Sequence, residues 1–251
     1  MTFFVSYAVP VLIALLIGAM YPAARAIRSP LHRYQYHVLQ GITFACAIVG
    51  AKLAYLFGDL GGSWWSMPPG DYLLRGGRSL TGALLGGFVG AEIAKWWIRY
   101  PLPPNDRFAM VLPLTIAVGR IGCHLTGCCR GLPWSGWCAV RYADDAIWRH
   151  PAALYELTFH ALFGLSAILC VRKGWFRGEV FAIYLMSYGM FRLITETIRD
   201  TPKPLGGWST YQILAMLMVI AGGTFFIKRR FWPPVTWRSA DPSTDPEIRH
   251  A

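Results

Sequence analysis

Arginines, a glutamate and a histidine recur at spacings that could handle a phosphate ester. Arg120 follows the apolar run Met110–Val118. Arg192 and Glu196 are spaced i, i+4 in the apolar stretch Tyr184–Ile198, and Arg199 follows Glu196 at i+3. In a helix that spacing puts the three near one face. An ionisable group in a membrane span costs several kcal/mol unless it is paired or faces water, so such groups are functional candidates. Three arginines against one glutamate leave an excess of positive charge. Guanidinium suits a phosphate because it offers planar, bidentate donors and stays protonated. The plainer alternative is an ion pair that only fixes helix packing. His150, in Arg149-His150-Pro151, precedes an apolar run, and Glu156 lies just inside it. Beside arginines His150 is a candidate acid or base; the alternative is a cap or interface residue.

Two glycine-rich stretches flank these charges. One runs Gly76-Gly77-Arg78-Ser79-Leu80-Thr81-Gly82 and continues to Gly86 and Gly87. Gly86, Gly87 and Gly90 read as small-residue helix packing. Ser79, Thr81 and Gly82 sit where a ligand could meet backbone amides at a helix N-terminus. The second stretch runs from Gly119-Arg120-Ile121-Gly122 to Gly131 and contains Cys123, His124, Cys128 and Cys129. With Cys138 these thiols are open to four readings. Cys-His…Cys-Cys is not a standard zinc spacing, so no metal is assigned, although soft donors are present. Cys128 or Cys129 could form a disulfide with Cys138 on an oxidising face. Cys128, beside Arg120 and Arg130, could be a thiol of depressed pKa. Otherwise the cysteines are small residues in a tight turn. No cofactor is expected.

The elements that must position these residues are membrane spans. Hydrophobic residues make up 55% of the chain, to which 26 glycines add; charged residues make up 15%. Soluble domains hold roughly 45–50% apolar residues, glycine included, and roughly 25% charged ones. A span needs about 20 largely apolar residues. Seven candidates emerge, at about 3–20, 37–57, 81–98, 108–127, 152–171, 179–198 and 209–227, so the expected fold is an all-α polytopic membrane protein. Loops 58–80 and 128–151 are expected to form a small external head. Residues 1–232 form one expected membrane domain, and 233–251 a disordered cytoplasmic tail.

The formal charge of +11 comes from residues in short loops, which points to topology and anionic head groups rather than nucleic acid. Counting Lys and Arg by side gives twelve against seven. The richer side is expected to be cytoplasmic, with the N-terminus outside and the C-terminus inside. Phe3–Met20 reads as a retained span rather than a cleaved signal. Lys52, Glu92 and Lys95 also fall in spans and carry no assigned role.

Three ordered blocks resemble the prolipoprotein diacylglyceryl transferases of bacterial inner membranes, over about 37–227. Gly119-Arg120-Ile121-Gly122 is similar to the start of the family signature. Arg149-His150-Pro151 with Leu154-Tyr155-Glu156 is similar to its RHP-x-x-LYE block. Tyr188-Gly189-Met190-Phe191-Arg192 with Glu196 and Arg199 is similar to its YG-x-FR-x3-E-x2-R block. The resemblance implies transfer of a diacylglyceryl group from phosphatidylglycerol to the cysteine thiol of a lipoprotein precursor, releasing glycerol phosphate. It implies a donor site built on Arg120 and Arg192, with Glu196 orienting the second arginine. It adds Gly119, Gly122, Tyr155 and Arg199 as substrate-binding positions, and the signal-peptide region of the precursor as a partner. The orientation deduced from charge is also the family's.

The chain departs from the pattern where the family carries a histidine viewed as the candidate base: Thr81 stands there. Cys123, Thr126 and Cys128 replace Asn, Asn and Glu, and Ala152-Ala153 replace Ser-Gln or Thr-Gln. The second reading is therefore a repurposed paralogue that binds anionic phospholipid without the transfer. A transporter ranks third, since no inverted repeat is visible.

Overall fold

The computed structural model describes residues 30–58, 79–99, 105–203 and 206–231. Among them run six α-helices: α1 (Pro30–Gly58), α2 (Leu80–Ile98), α3 (Asn105–Thr126), α4 (Ala152–Arg172), α5 (Val180–Thr195) and α6 (Thr210–Phe231). A 3-10 turn, Glu196–Ile198, extends α5. The described residues hold only isolated β-bridges, so the all-α expectation stands. The expected span at 3–20, residues 59–78 of the head and the tail from 233 lie outside the described residues.

Four helices are long and apolar enough to cross a membrane, at Tyr34–Gly58, Phe108–Thr126, Ala152–Arg172 and Thr210–Phe231. Their outward faces are apolar too, with Phe44, Leu125, Leu162 and Ile220 exposed. Such faces fit hydrocarbon as the surrounding solvent. Among the described residues four of the six expected spans meet those criteria, so the count of seven is not confirmed. Glycines, Glu92 and Lys95 dilute the apolarity of α2, and α5 has only 16 residues.

The described residues fall into two compact units. One contains 105–184 and 194–200; the other contains 30–58, 79–99, 185–193, 201–203 and 206–231. Helix α5 contributes its first part to the former and 185–193 to the latter.

In the second unit α1 and α2 meet backbone to backbone. A Cβ on Gly82 would lie 2.3 Å from the Gly50 carbonyl oxygen, and one on Gly86 2.6 Å from that of Cys46. Small residues allow this approach, and dispersion along the seam replaces a hydrophobic drive that hydrocarbon does not supply. Ser79 caps α2: its hydroxyl accepts from the Gly82 amide at 3.2 Å, and its own amide donates to the Ala51 carbonyl at 3.3 Å. Thr81 is buried. Three residues expected at a ligand thus cap and pack a helix. Ser209 and Gln212 form a reciprocal capping box at the start of α6, with bonds of 3.1 and 2.9 Å. Glu92 takes Lys95 and, at 3.7 Å, Arg229, which gives two of the unassigned charges a partner in their own unit.

In the first unit α3 packs on α4, with Gly164 against Leu114. Asp106, in the first turn of α3, accepts from the backbone amides of Gly178 and Val180 and so caps the start of α5.

Because Gly86 meets backbone rather than a movable side chain, Gly86→Leu should cost about 3 kcal/mol or more, at the upper end of overpacking penalties. Thermal unfolding in detergent checks this. Gly223→Ala, with nothing within 4 Å of the added carbon, is the control.

Candidate functional site

The first unit gathers its charges on one carboxylate. Glu156 lies one turn into α4 and is 1% exposed. Its Oε2 takes Arg120 Nη2, and its Oε1 accepts from Arg199 Nη1 at 3.1 Å. Glu196, fully buried, stands 3.9 Å from Arg199 Nε. The sequence reading had Glu196 as the carboxylate of this group and left Glu156 out of the site. Within this unit Arg120 and Arg199 meet Glu156 and Glu196, two positive charges against two negative. The signal was legible: Glu156 is an acid inside an apolar run, the same argument that selected Arg120.

Arg192 belongs to the second unit. It is 4% exposed, and its guanidinium lies 5.6 Å from the Tyr211 ring centroid, a cation–π contact. Gly189, in the same sequence block, lets α5 approach α6, since a Cβ there would sit 2.8 Å from the Ala215 carbonyl oxygen. Within the first unit the geometry brings Arg120, Glu156, Glu196 and Arg199 together.

The backbone places Arg199 through the loop 128–151. Leu132 N–H donates to the Ile198 carbonyl at 2.8 Å, and Gly131 bridges Arg199. Gly131 makes the crossing possible: a Cβ would meet His150 Cβ at 2.5 Å and the Ile198 carbonyl oxygen at 3.0 Å. Arg149 ties the same crossing with Asp145, the Gly131 carbonyl at 3.3 Å and Asp200 at 3.5 Å. His150 stacks on Trp134 at 4.2 Å and 9°. Its Nδ1 shares a 3.2 Å hydrogen bond with the Tyr155 hydroxyl, which also meets Cys138 Sγ at 3.2 Å.

At its C-terminal end α3 folds back on itself. Gly127 is left-handed at φ +64°, the Gly127 amide donates to His124 O, and the Cys128 amide donates to Cys123 O. This is a Schellman turn. It gathers the sulfurs of Cys123, Cys128 and Cys129 within 4.8 Å of one another. Arg120 Nη1 donates to Cys129 Sγ at 3.5 Å and to Cys123 Sγ at 3.7 Å.

Two expectations about the thiols change. All six cysteines are free, and Cys138 bonds Tyr155, so the disulfide to Cys128 or Cys129 is not formed. The depressed thiol is Cys129 rather than Cys128. Hydrogen bonds with Cys123 and Cys128, then the positive charge of Arg120, hold Cys129 well below the usual thiol range. Cys128 gains from its bond with Cys123, but its contact with Cys129 and burial outweigh that and push it up. Arg130, expected beside Cys128, instead bonds the Gly127 carbonyl at 2.7 Å and Asp144 at 2.6 Å.

Among the remaining predicted positions, Gly119 faces open space next to Arg120, and Gly122 is buried. Thr126 spends its hydroxyl on the Gly122 carbonyl at 2.9 Å. His160, one turn beyond Glu156, was not singled out from sequence; it is fully buried and hydrogen-bonded to Tyr184 at 3.1 Å.

Removing the shared carboxylate should be the costliest polar change in this unit. Glu156→Gln leaves two buried guanidiniums without their common counter-charge and should destabilise by about 3–5 kcal/mol, read as loss of the folded fraction on heating. Gly127→Ala strains a left-handed position whose added carbon meets Arg130 and the Tyr142 ring at 3.1 Å. It should cost about 1 kcal/mol or more and raise the alkylation rate of Cys123.

The family model described as prolipoprotein diacylglyceryl transferase matches residues 3–228. Curated proteins named phosphatidylglycerol–prolipoprotein diacylglyceryl transferase are similar. The one from Paracidovorax citrulli is 31% identical, covering 74% of this chain and 73% of its own. That of Clostridium tetani is 29% identical over 73% and 76%, and that of Bordetella parapertussis 33% over 62% and 63%. No solved structure matches. A match over nearly the whole length, on a chain that keeps Arg120, Glu156, Arg192, Glu196 and Arg199 in three separate blocks, places this protein in the prolipoprotein diacylglyceryl transferase family.

Proposed function

We propose that this chain transfers the diacylglyceryl group of phosphatidylglycerol to a thiol, that of a lipoprotein-precursor cysteine. A sulfur–carbon bond forms at the glycerol carbon, the carbon–oxygen bond to phosphate breaks, and glycerol phosphate leaves with the electron pair. Negative charge grows on the departing phosphate. Preorganised guanidinium donors in a water-poor site stabilise such charge more than water does.

The observation that carries this reading is Arg120. Its guanidinium is anchored on buried Glu156, and a glycine beside it faces open space. In this reading Arg120 serves the leaving phosphate, and Arg192 has the same role on the strength of its sequence block. Glu156, Glu196 and Arg199 act as positioning residues. His150, held by Tyr155 and Trp134, is the candidate base for the acceptor thiol. Residence in a bacterial inner membrane rests on the family membership, and an orientation with the N-terminus outside is supported by the distribution of Lys and Arg. The signal-peptide region of the precursor would reach the site from within the membrane.

One observation favours the second reading, a lipid-binding relative without the transfer. Thr81, at the position of the family's histidine, is 1% exposed in the α1–α2 seam.

Complementation of a strain depleted of its own diacylglyceryl transferase decides between the two. Rescue is expected. Failure at normal expression, with phosphatidylglycerol still co-purifying, would favour the lipid-binding reading. In the purified protein Arg120→Ala and Arg192→Ala should each lower turnover by about a hundred-fold or more, as removal of a transition-state donor does.

A further inference from the structure

We infer that Cys123, Cys128 and Cys129 form a binding site for one thiophilic d10 cation of the Zn2+ or Cu+ class. The three sulfurs already lie within 4.8 Å of one another, and those of Cys128 and Cys129 are 3.7 Å apart. Thiolates bound to one such ion at about 2.3 Å must stand about 3.8–4.0 Å from each other. Rotamer adjustments of up to about an ångström would therefore close the site. Three soft thiolates select Zn2+, Cd2+ or Cu+ over the hard cations that prefer oxygen.

The surroundings suit the resulting complex. Three thiolates on a divalent ion carry one net negative charge, and Arg120 donates to two of the sulfurs. N–H groups directed at metal-bound sulfur supply the outer-shell bonds such sites use. The Schellman turn holds the trio without a long loop. Cys128 is exposed, which gives an ion an entry path. Pairing by a disulfide fits less well. Cys128 and Cys129 are adjacent in sequence, which forces a strained ring, and Cys138 is held at Tyr155.

The inference stands apart from the transfer reaction, and its test reads binding alone. Reduced, metal-free full-length protein in detergent is titrated with Cd2+. A thiolate-to-cadmium charge-transfer band should saturate at one equivalent. Bound Cd2+ should protect Cys123, Cys128 and Cys129 from alkylation while Cys138 reacts as before. Cys128→Ser, at an exposed position that spares the fold, should weaken binding by about a hundred-fold or more, as loss of a direct ligand exceeds the 10- to 100-fold of an outer-shell change. Cys170→Ser should bind as the unaltered chain does. Absence of a saturable band, equal alkylation with and without Cd2+, or a Cys128→Ser titration matching the unaltered chain would each overturn the assignment.

Discussion

A carboxylate inside a bilayer-spanning bundle is costly unless its charge is met at close range, and Glu156 has one arginine on each oxygen. That double pairing brings α3, α4 and the turn after α5 to one point. Arg120 reaches it from α3, Glu156 from α4, and Arg199 from the residue after the 3-10 turn. Arg120 then uses its other nitrogen on the sulfurs at the end of its own helix. An arginine fixed in this way keeps its charge where a phosphate could meet it without reorganising.

The backbone cooperates by removing side chains at crossing points. Gly131 lets the stretches around His150 and Ile198 touch, and Arg199 is delivered to Glu156 by that contact. Gly127 turns the chain at the end of α3 so that Cys128 and Cys129 return toward Cys123. In the other unit Gly50, Gly82 and Gly86 bring α1 against α2. Each of these glycines answers a specific steric demand, close approach or a left-handed turn.

The departures from the family pattern form a consistent set. Where the resemblance leads one to expect a histidine and two polar positions, the chain has a buried threonine, a cysteine under a guanidinium and a threonine bonded to its own helix. The arginines of the three blocks are kept, while sulfur enters at Cys123 and Cys128 and threonines stand at 81 and 126.

The sequence alone determined the helical membrane class, the charged residues and the family blocks, because span length, apolar run and block order are local or linear properties. Six expected spans coincide with helices to within a few residues except at 37–57, where α1 starts earlier, at Pro30. It also exposed the cysteines as a group. Tertiary structure decided the pairing. Glu156 joins Arg120 and Arg199, Arg192 lies over the Tyr211 ring, Cys129 has the depressed thiol, and Cys138 bonds Tyr155. The reason is that a buried charge takes whichever partner the helix crossings bring within reach, and crossings set by Gly127, Gly131 and the helix seams depend on residues far apart in the chain.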